Sequence, residues 1–385
     1  MYTMHDQTRS PALGSSDGNL TQLEYLALNS SLNVADAHAR QSLTLGQASI
    51  IEELPGLFTK AAEQPVDSLE EEAIREYFQL LGQYSYPVAD GRVLSCYSSS
   101  VAMEILARSL ATRTDAVALI HPTFDNIPDI LRGVGLRLVP VAEEKIGVED
   151  LGAEVLGQVG CIFVTTPNNP TGRVLTEERL RALAEECAKY DTVLALDTSF
   201  RGFDTRAQYD HYEVLEASGC RWVVIEDTGK LWPTLDLKIG WLVRSANVGL
   251  PIAEIYSDIL LGVSPLILVL VQRFAEDAAN GGLEELHRFL DEGRRGLRST
   301  LAGLPDVRFP DVDARGSVER IDLGPRLAMD VWHAISEHNV YALPCRKFHW
   351  ANPSEGDHSL RVALARNPAA LDAAGQALRT VLETL

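Results

Sequence analysis

Two hydrophobic periodicities divide the chain. From Thr21 to about Tyr86, apolar positions recur at helical spacing, as in the acidic-headed stretch Leu69–Gly82. The middle of the chain changes to short, β-branched apolar runs separated by helical stretches. These runs are Ala116–Ile120, Leu136–Val141, Cys161–Thr165, Thr192–Leu196, Arg221–Ile225 and Ile239–Val243. Glu177–Tyr190 is an amphipathic helix between them, with Thr176 placed to cap it and Glu177 and Glu178 complementing the helix dipole. The runs do not alternate with polar residues, which predicts a mostly parallel sheet covered by helices on both faces. Further on, Val307–Leu323 reads as strand, Ala328–His338 as helix, His358–Ala365 as strand and Ala369–Leu385 as a terminal helix. That is a small α+β unit joined through the helix Leu283–Leu301. The expected division is an N-terminal segment 1–40, a large α/β domain 41–285 and a small domain 286–385.

The size, 385 residues with 46% hydrophobic, suits two unequal domains with a substantial core. A formal net charge of −20 argues against nucleic acid as a partner, because such a surface repels phosphate backbones. The five cysteines are scattered and form no CxxC pair, so reduced thiols in a cytoplasmic protein are expected and a zinc site is not. The opening residues contain no apolar core of a signal peptide. Residues 1–17 are polar and are expected to be mobile when nothing is bound. The most apolar stretch, Ile259–Val271, is too short for a bilayer and is interrupted by Gly262 and Pro265. It reads as a buried helix or a subunit contact, not a membrane span.

Ligands of parallel α/β sheets sit at the carboxyl ends of strands. Three polar clusters fall there. Thr166-Pro167-Asn168-Asn169-Pro170-Thr171-Gly172 follows the strand at Cys161 and forms a rigid turn offering amide donors. Asp197 closes the next run; it either caps the following element or faces the nitrogen of a bound pyridine ring. Glu226-Asp227-Thr228-Gly229-Lys230 closes the third, where a lysine beside small residues suits a Schiff-base amine of lowered pKa. A fourth cluster, Ser98-Ser99-Ser100, opens the helical run through Ala111. Its hydroxyls and free N–H groups are either a plain serine cap or a phosphate site.

In this order the clusters resemble the class I/II aminotransferases of the aspartate-aminotransferase type, the fold type I pyridoxal 5′-phosphate (PLP) enzymes. The resemblance covers nearly the whole chain. It implies an α/β fold with a mostly parallel, seven-stranded-type sheet, a small α+β domain, and a homodimer. It also implies that Lys230 binds the cofactor covalently, Asp197 pairs with the ring nitrogen, Asn169 donates to the ring oxygen and Phe124 stacks on the ring. Ser98, Ser99 and Ser100 would hold the phosphate, and Arg361 would clamp the substrate α-carboxylate.

Three positions depart from the usual pattern. Phe200 replaces a common Tyr, leaving Ser199 as the nearest hydroxyl. Lys238 stands where Arg usually binds phosphate. Asp227 stands where Ser is usual, so it either faces away from the site or has a cation beside it. With Thr21–Asn29, Asp36-Ala37-His38-Ala39-Arg40 and the strings SCYSSSV, HPTFDNI, TTPNNPTGRVL and EDTGKLWPTLDLK, the chain is similar to the PLP- and oxygen-dependent L-arginine oxidases and hydroxylases of nonproteinogenic amino-acid biosynthesis. That similarity implies L-arginine and dioxygen as substrates. The products would be a 2-oxo acid, a 4-hydroxy-2-oxo acid or a dehydro-oxo acid, with hydrogen peroxide and ammonia. It assigns Thr21, Glu24 and Asp227 to the guanidinium and His38 to the reacting face, with residues 1–40 covering the substrate. No metal is expected. The rival functions are an ordinary aminotransferase for a cationic amino acid, and a PLP-binding regulator domain, which would need a basic module that the first eighty or so residues lack.

Overall fold

A computed structural model describes residues 18–88 and 91–385. The mobility expected for residues 1–17 concerns a segment outside the described residues. The strands are β1 (Leu32–Asn33), β2 (Val93–Cys96), β3 (Ala116–His121), β4 (Arg137–Ala142), β5 (Cys161–Thr165) and β6 (Val193–Asp197). They continue as β7 (Trp222–Asp227), β8 (Gly240–Arg244), β9 (Val318–Asp322), β10 (Val340–Tyr341), β11 (Leu343–Pro344) and β12 (Ser359–Ala363). Seven form one sheet in the order β2-β8-β7-β6-β5-β3-β4, with β8 alone running against its neighbours.

The absence of alternation in the central runs has its expected cause. Along β5, Ile162 and Val164 join the core on one face, and Cys161 and Phe163 join the core on the other. Each such large side chain contributes roughly 1.5–3 kcal/mol by leaving water. The helix Glu177–Tyr190 turns Leu180, Leu183, Ala184 and Cys187 to the sheet and ends at Asp191 in a left-handed conformation. Thr176 is its N-cap by backbone geometry, but its side chain makes no capping bond.

Three expectations need adjustment. Strand β2 had no strong signal, because it is a four-residue edge strand whose first two side chains are half-exposed. Only Val318–Asp322 of the stretch 307–323 is strand, with Arg308 adding a single bridge to Asp322. The apolar stretch 259–271 spans the end of one helix and the start of another, Pro265–Asp277, in which Leu268–Val271 are buried. Among the described residues no helix is long and apolar enough to cross a membrane.

The C-terminal part has its own antiparallel sheet, β11-β12-β9, backed by the packed helices Leu283–Thr300 and Pro368–Thr384. An N-terminal strap is built into this unit. β1 pairs with β10, Ala363 N–H donates to Val34 O at 2.8 Å, and Arg40 N–H donates to Ala365 O at 3.0 Å. Residues 32–40 therefore belong structurally with the small sheet, and they run from there toward the carboxyl ends of the large one.

Candidate active site

Because β3, β5, β6 and β7 are parallel, the segments after His121, Thr165, Asp197 and Asp227 emerge along one edge. A cavity of about 250 Å³ opens there. Asn169, Asp197, Lys230 and Phe124 line it from the strand ends, and Ser98, Ser99 and Ser100 from the start of the helix Ser99–Ala111. Ser199, Asp227 and Lys238 complete the large-domain side, while Thr21, Glu24 and His38 reach it from the N-terminal segment.

Asp197 is buried. Its Oδ1 accepts from Ser199 Oγ at 2.6 Å and from Ser199 N–H at 3.1 Å. Burial pushes its carboxyl up to about 6 against those two hydrogen bonds, the signature of a carboxylate short of a cation. Ser199 thus serves the carboxylate. Lys230 has its amine pKa lowered, by burial first, while Glu24 and Asp227 oppose the shift. Its Nζ lies 3.3 Å from His38 Nε2, and Lys238 Nζ lies 3.1 Å from the same nitrogen. The Lys230 charge, then burial, lowers the His38 pKa, and Asp36 at 3.6 Å opposes them. An imidazole so placed is neutral near pH 7 and can accept a proton.

The two carboxylates expected to share a guanidinium line the same cavity but hold different partners. Asp227 points into the site: its Oδ2 accepts from Ser99 N–H at 3.0 Å and Ser99 Oγ at 2.5 Å, and its Oδ1 accepts from Gly229 N–H at 2.5 Å. Glu24 instead meets Arg361 at 3.3 Å. Burial raises the Glu24 carboxyl, and Arg361 pulls it back. Arg361 is fully buried and does not itself line the cavity; one Nη also donates to Ala35 O, while its Nε and other Nη have no partner among the described residues. Phe124 packs edge-on to Phe348 with centroids 5.7 Å apart, and Ser100 accepts from Asn126 at 3.4 Å. Ser98 caps its helix by accepting from Val101 N–H at 3.3 Å.

Several residues around the site had no role expected from sequence, Asp36 entering only as part of a quoted string. Asp36, almost fully buried, accepts from Asn33 and Arg40 at 2.8 Å each and from the His38 N–H at 3.0 Å, and it pairs with Arg366. Arg366 also donates to the carbonyls of Asn33, Asp36 and His38. Glu143 accepts from Asn168 at 2.6 Å and Thr171 at 2.9 Å behind the asparagine-proline turn, and Asn168 donates in addition to Pro122 O. Asp125 accepts from Leu20 N–H. The long-range pairs among these carry no local sequence signal.

PLP fits this donor set. Two Arg361 nitrogens are buried without a partner among the described residues, and among them no cation contacts Asp197. A side chain at Gly240 would strike the Ser98–Ser99 backbone at 2.5–2.6 Å, so the serine turn lies directly on the sheet. Lys230 would hold the cofactor covalently, Asp197 its ring nitrogen, and the serines and Lys238 its phosphate, for which the Ser99 N–H and hydroxyl would have to leave the Asp227 carboxylate. A strand-end lysine, a buried strand-end carboxylate and a serine-lined helix start on this sheet define a PLP enzyme of the aspartate-aminotransferase fold type.

Residues 43–378 match the family described as aminotransferase class I and II, and the chain belongs to that PLP-dependent family. The putative aminotransferase YugH of Bacillus subtilis is 22% identical over 69% of this chain and 68% of its own length. The structure of MppP soaked with the product 2-ketoarginine is 62% identical, covers 91% of this chain and 99% of that one, and superposes with a TM-score of 0.90. Aspartate aminotransferase from Thermus thermophilus with maleate shares the fold, at 15% identity, with 94% and 96% covered and a TM-score of 0.76.

Proposed function

We propose that this chain oxidises L-arginine with dioxygen, using PLP as cofactor. With one dioxygen and one water the products are the 2-oxo acid, ammonia and hydrogen peroxide. The 4-hydroxy-2-oxo acid takes a second dioxygen and a second water, and releases a second peroxide. The observation that carries this reading is the 62% likeness, along nearly the whole chain, to a structure soaked with 2-ketoarginine as product. The acidic wall supports it: Glu24 and Asp227 face one cavity, where a guanidinium has five donors to satisfy them.

The chemistry that the cofactor supplies when bound is electron withdrawal at the substrate α-carbon. Lys230, its ammonium form disfavoured by burial, is the base for the α-proton. Asp197 keeps a proton on the ring nitrogen. Arg361 has two nitrogens available to a carboxylate. His38, beside the Lys230 amine, would take or return a proton there, and Phe124 would stack on the ring. The proposal includes the 1–40, 41–285 and 286–385 division and a cytoplasmic homodimer; five buried, unpaired cysteines support a reducing compartment.

The test is to follow oxygen consumption by holoenzyme given L-arginine alone, with mass spectra of the products. Oxygen uptake with an arginine-derived oxo acid is expected. Turnover only when a 2-oxo acid acceptor is added, with no oxygen used, would return the protein to the ordinary aminotransferases.

A further inference from the structure

The N-terminal helix Leu20–Ala27 carries Thr21 and Glu24 into the cavity, yet its apolar side belongs to the small unit. Leu20, Leu23 and Ala27 pack with Trp332, Leu343, Cys345 and Phe348. Its own cap is nearly complete: Asn19 Oδ1 accepts from Gln22 N–H, and the Gln22 side chain accepts from Asn19 N–H, both at 3.0 Å. The Leu20 N–H is left over, as first-turn donors are. It donates to Asp125 Oδ2 at 2.7 Å, across 105 positions of sequence.

We propose that Asp125 is a positioning residue, a latch that pins the start of this helix to the cofactor-stacking loop and so sets Glu24 and Thr21 over the site. Asp125 follows Phe124 directly and is 4% exposed. Among the described residues its other oxygen has no partner, and the Leu20 donor is its hydrogen-bond contact. Burial pushes the carboxyl up to about 7; Asp129 and Glu24 add to that, and Lys347 and the Leu20 N–H oppose it. A carboxyl kept in such a place is costly unless a donor meets it, and the helix start supplies both a donor and a positive dipole end. The helix therefore crosses from one unit to the other, its apolar face on the small unit and its first turn on the large one. That geometry ties the acidic wall to the ring-stacking loop.

The part of the test that reads turnover rests on the arginine reading above; the rest does not. In wild-type holoenzyme, residue-resolved hydrogen exchange should find the Leu20 amide at least tenfold slower than an open first-turn amide. Exchange at the open rate overturns the latch without any variant. Asp125→Ala should speed chymotryptic cleavage at Tyr25 about tenfold and raise KM for arginine about tenfold, with kcat changed less than threefold. Asp125→Asn, whose amide oxygen can accept the same N–H, should restore both most of the way. Wild-type cleavage in Asp125→Ala overturns the proposal, and so does an Asp125→Asn no better than Ala. Faster cleavage with an unchanged KM supports the latch and counts instead against Glu24 as an arginine ligand.

Discussion

Single carboxylates set the chemistry of this site by being held in places where charge is unfavourable. Glu143 shows the cost most simply. It is buried, it accepts from Asn168 and Thr171, and the half-exposed Arg173 lies 3.5 Å from its other oxygen; its carboxyl is still pushed up to about 6, by burial first. Below the ordinary glutamate value it is neutral in both folded and unfolded chains. Between that value and about 6 the unfolded chain releases its proton first, so stability falls as pH rises. Above about 6 the deficit is constant, at roughly 2 kcal/mol for a shift of this size. Glu143→Gln should therefore raise the unfolding free energy from urea titration by about 2 kcal/mol at pH 7.5 and leave it nearly unchanged near pH 4.5. The single oxygen that now accepts both hydrogen bonds is present in glutamine too, so the turn should keep its shape. A variant less stable than wild type at pH 7.5 would show that the ionised form stabilises the turn by more than its burial costs.

At the scale of elements, the residues legible in sequence are those whose role follows from a strand end. Lys230, Asp197 and Asn169 each sit in a local string, and the apolar runs before them mark those strand ends to within a residue or two; the three serines were legible only as a helix start. Strand β2 was not legible, being short and half-exposed, and it turns out to lead straight into the serine turn. The Glu24–Arg361 and Asp36–Arg366 pairings were equally invisible, because their partners lie 337 and 330 positions apart and no periodicity reports such contacts. Gly240 is an element-scale device of the same kind. It pairs with Cys96 of β2 on one side and Asp227 of β7 on the other, under the Ser98–Ser99 backbone. Gly240→Ala places a methyl where backbone atoms cannot yield, at a cost of about 1–3 kcal/mol. Cofactor affinity should fall at least tenfold, read by fluorescence titration of the apoprotein, while the variant remains folded. Wild-type affinity would mean that the serine turn can shift without loss and does not grip the phosphate.

The molecule as a whole divides its chemistry between two supports. The large sheet carries Lys230, Asp197 and the serine turn proposed to hold the phosphate; the strap 32–40, stitched to the small sheet, carries His38 against Lys230. Arg366 fastens that strap, through three strap carbonyls and the buried Asp36 carboxylate. Burial alone would raise the Asp36 pKa, but the His38 hydrogen bond first, then the Arg366 and Arg40 charges, hold it well below the usual range. Arg40 binds the same carboxylate from a site 35% exposed. The two arginines therefore separate burial from charge. Removing one partner of a buried pair costs about 3–5 kcal/mol, and the remaining Arg40 contact puts Arg366→Ala near the lower figure. Arg40→Ala should cost about 1 kcal/mol or less. Cofactor content should stay at wild-type level in both, because none of the cofactor's proposed ligands is on the strap. Oxygen consumption with arginine should fall more than tenfold in Arg366→Ala only, since His38 then loses the carbonyl anchor that aims it. Urea midpoints, visible absorbance per protomer and an oxygen electrode would measure the three effects. If Arg366→Ala and Arg40→Ala behave alike, the strap is held by its strand pairing with β10, and the position of His38 does not depend on this guanidinium.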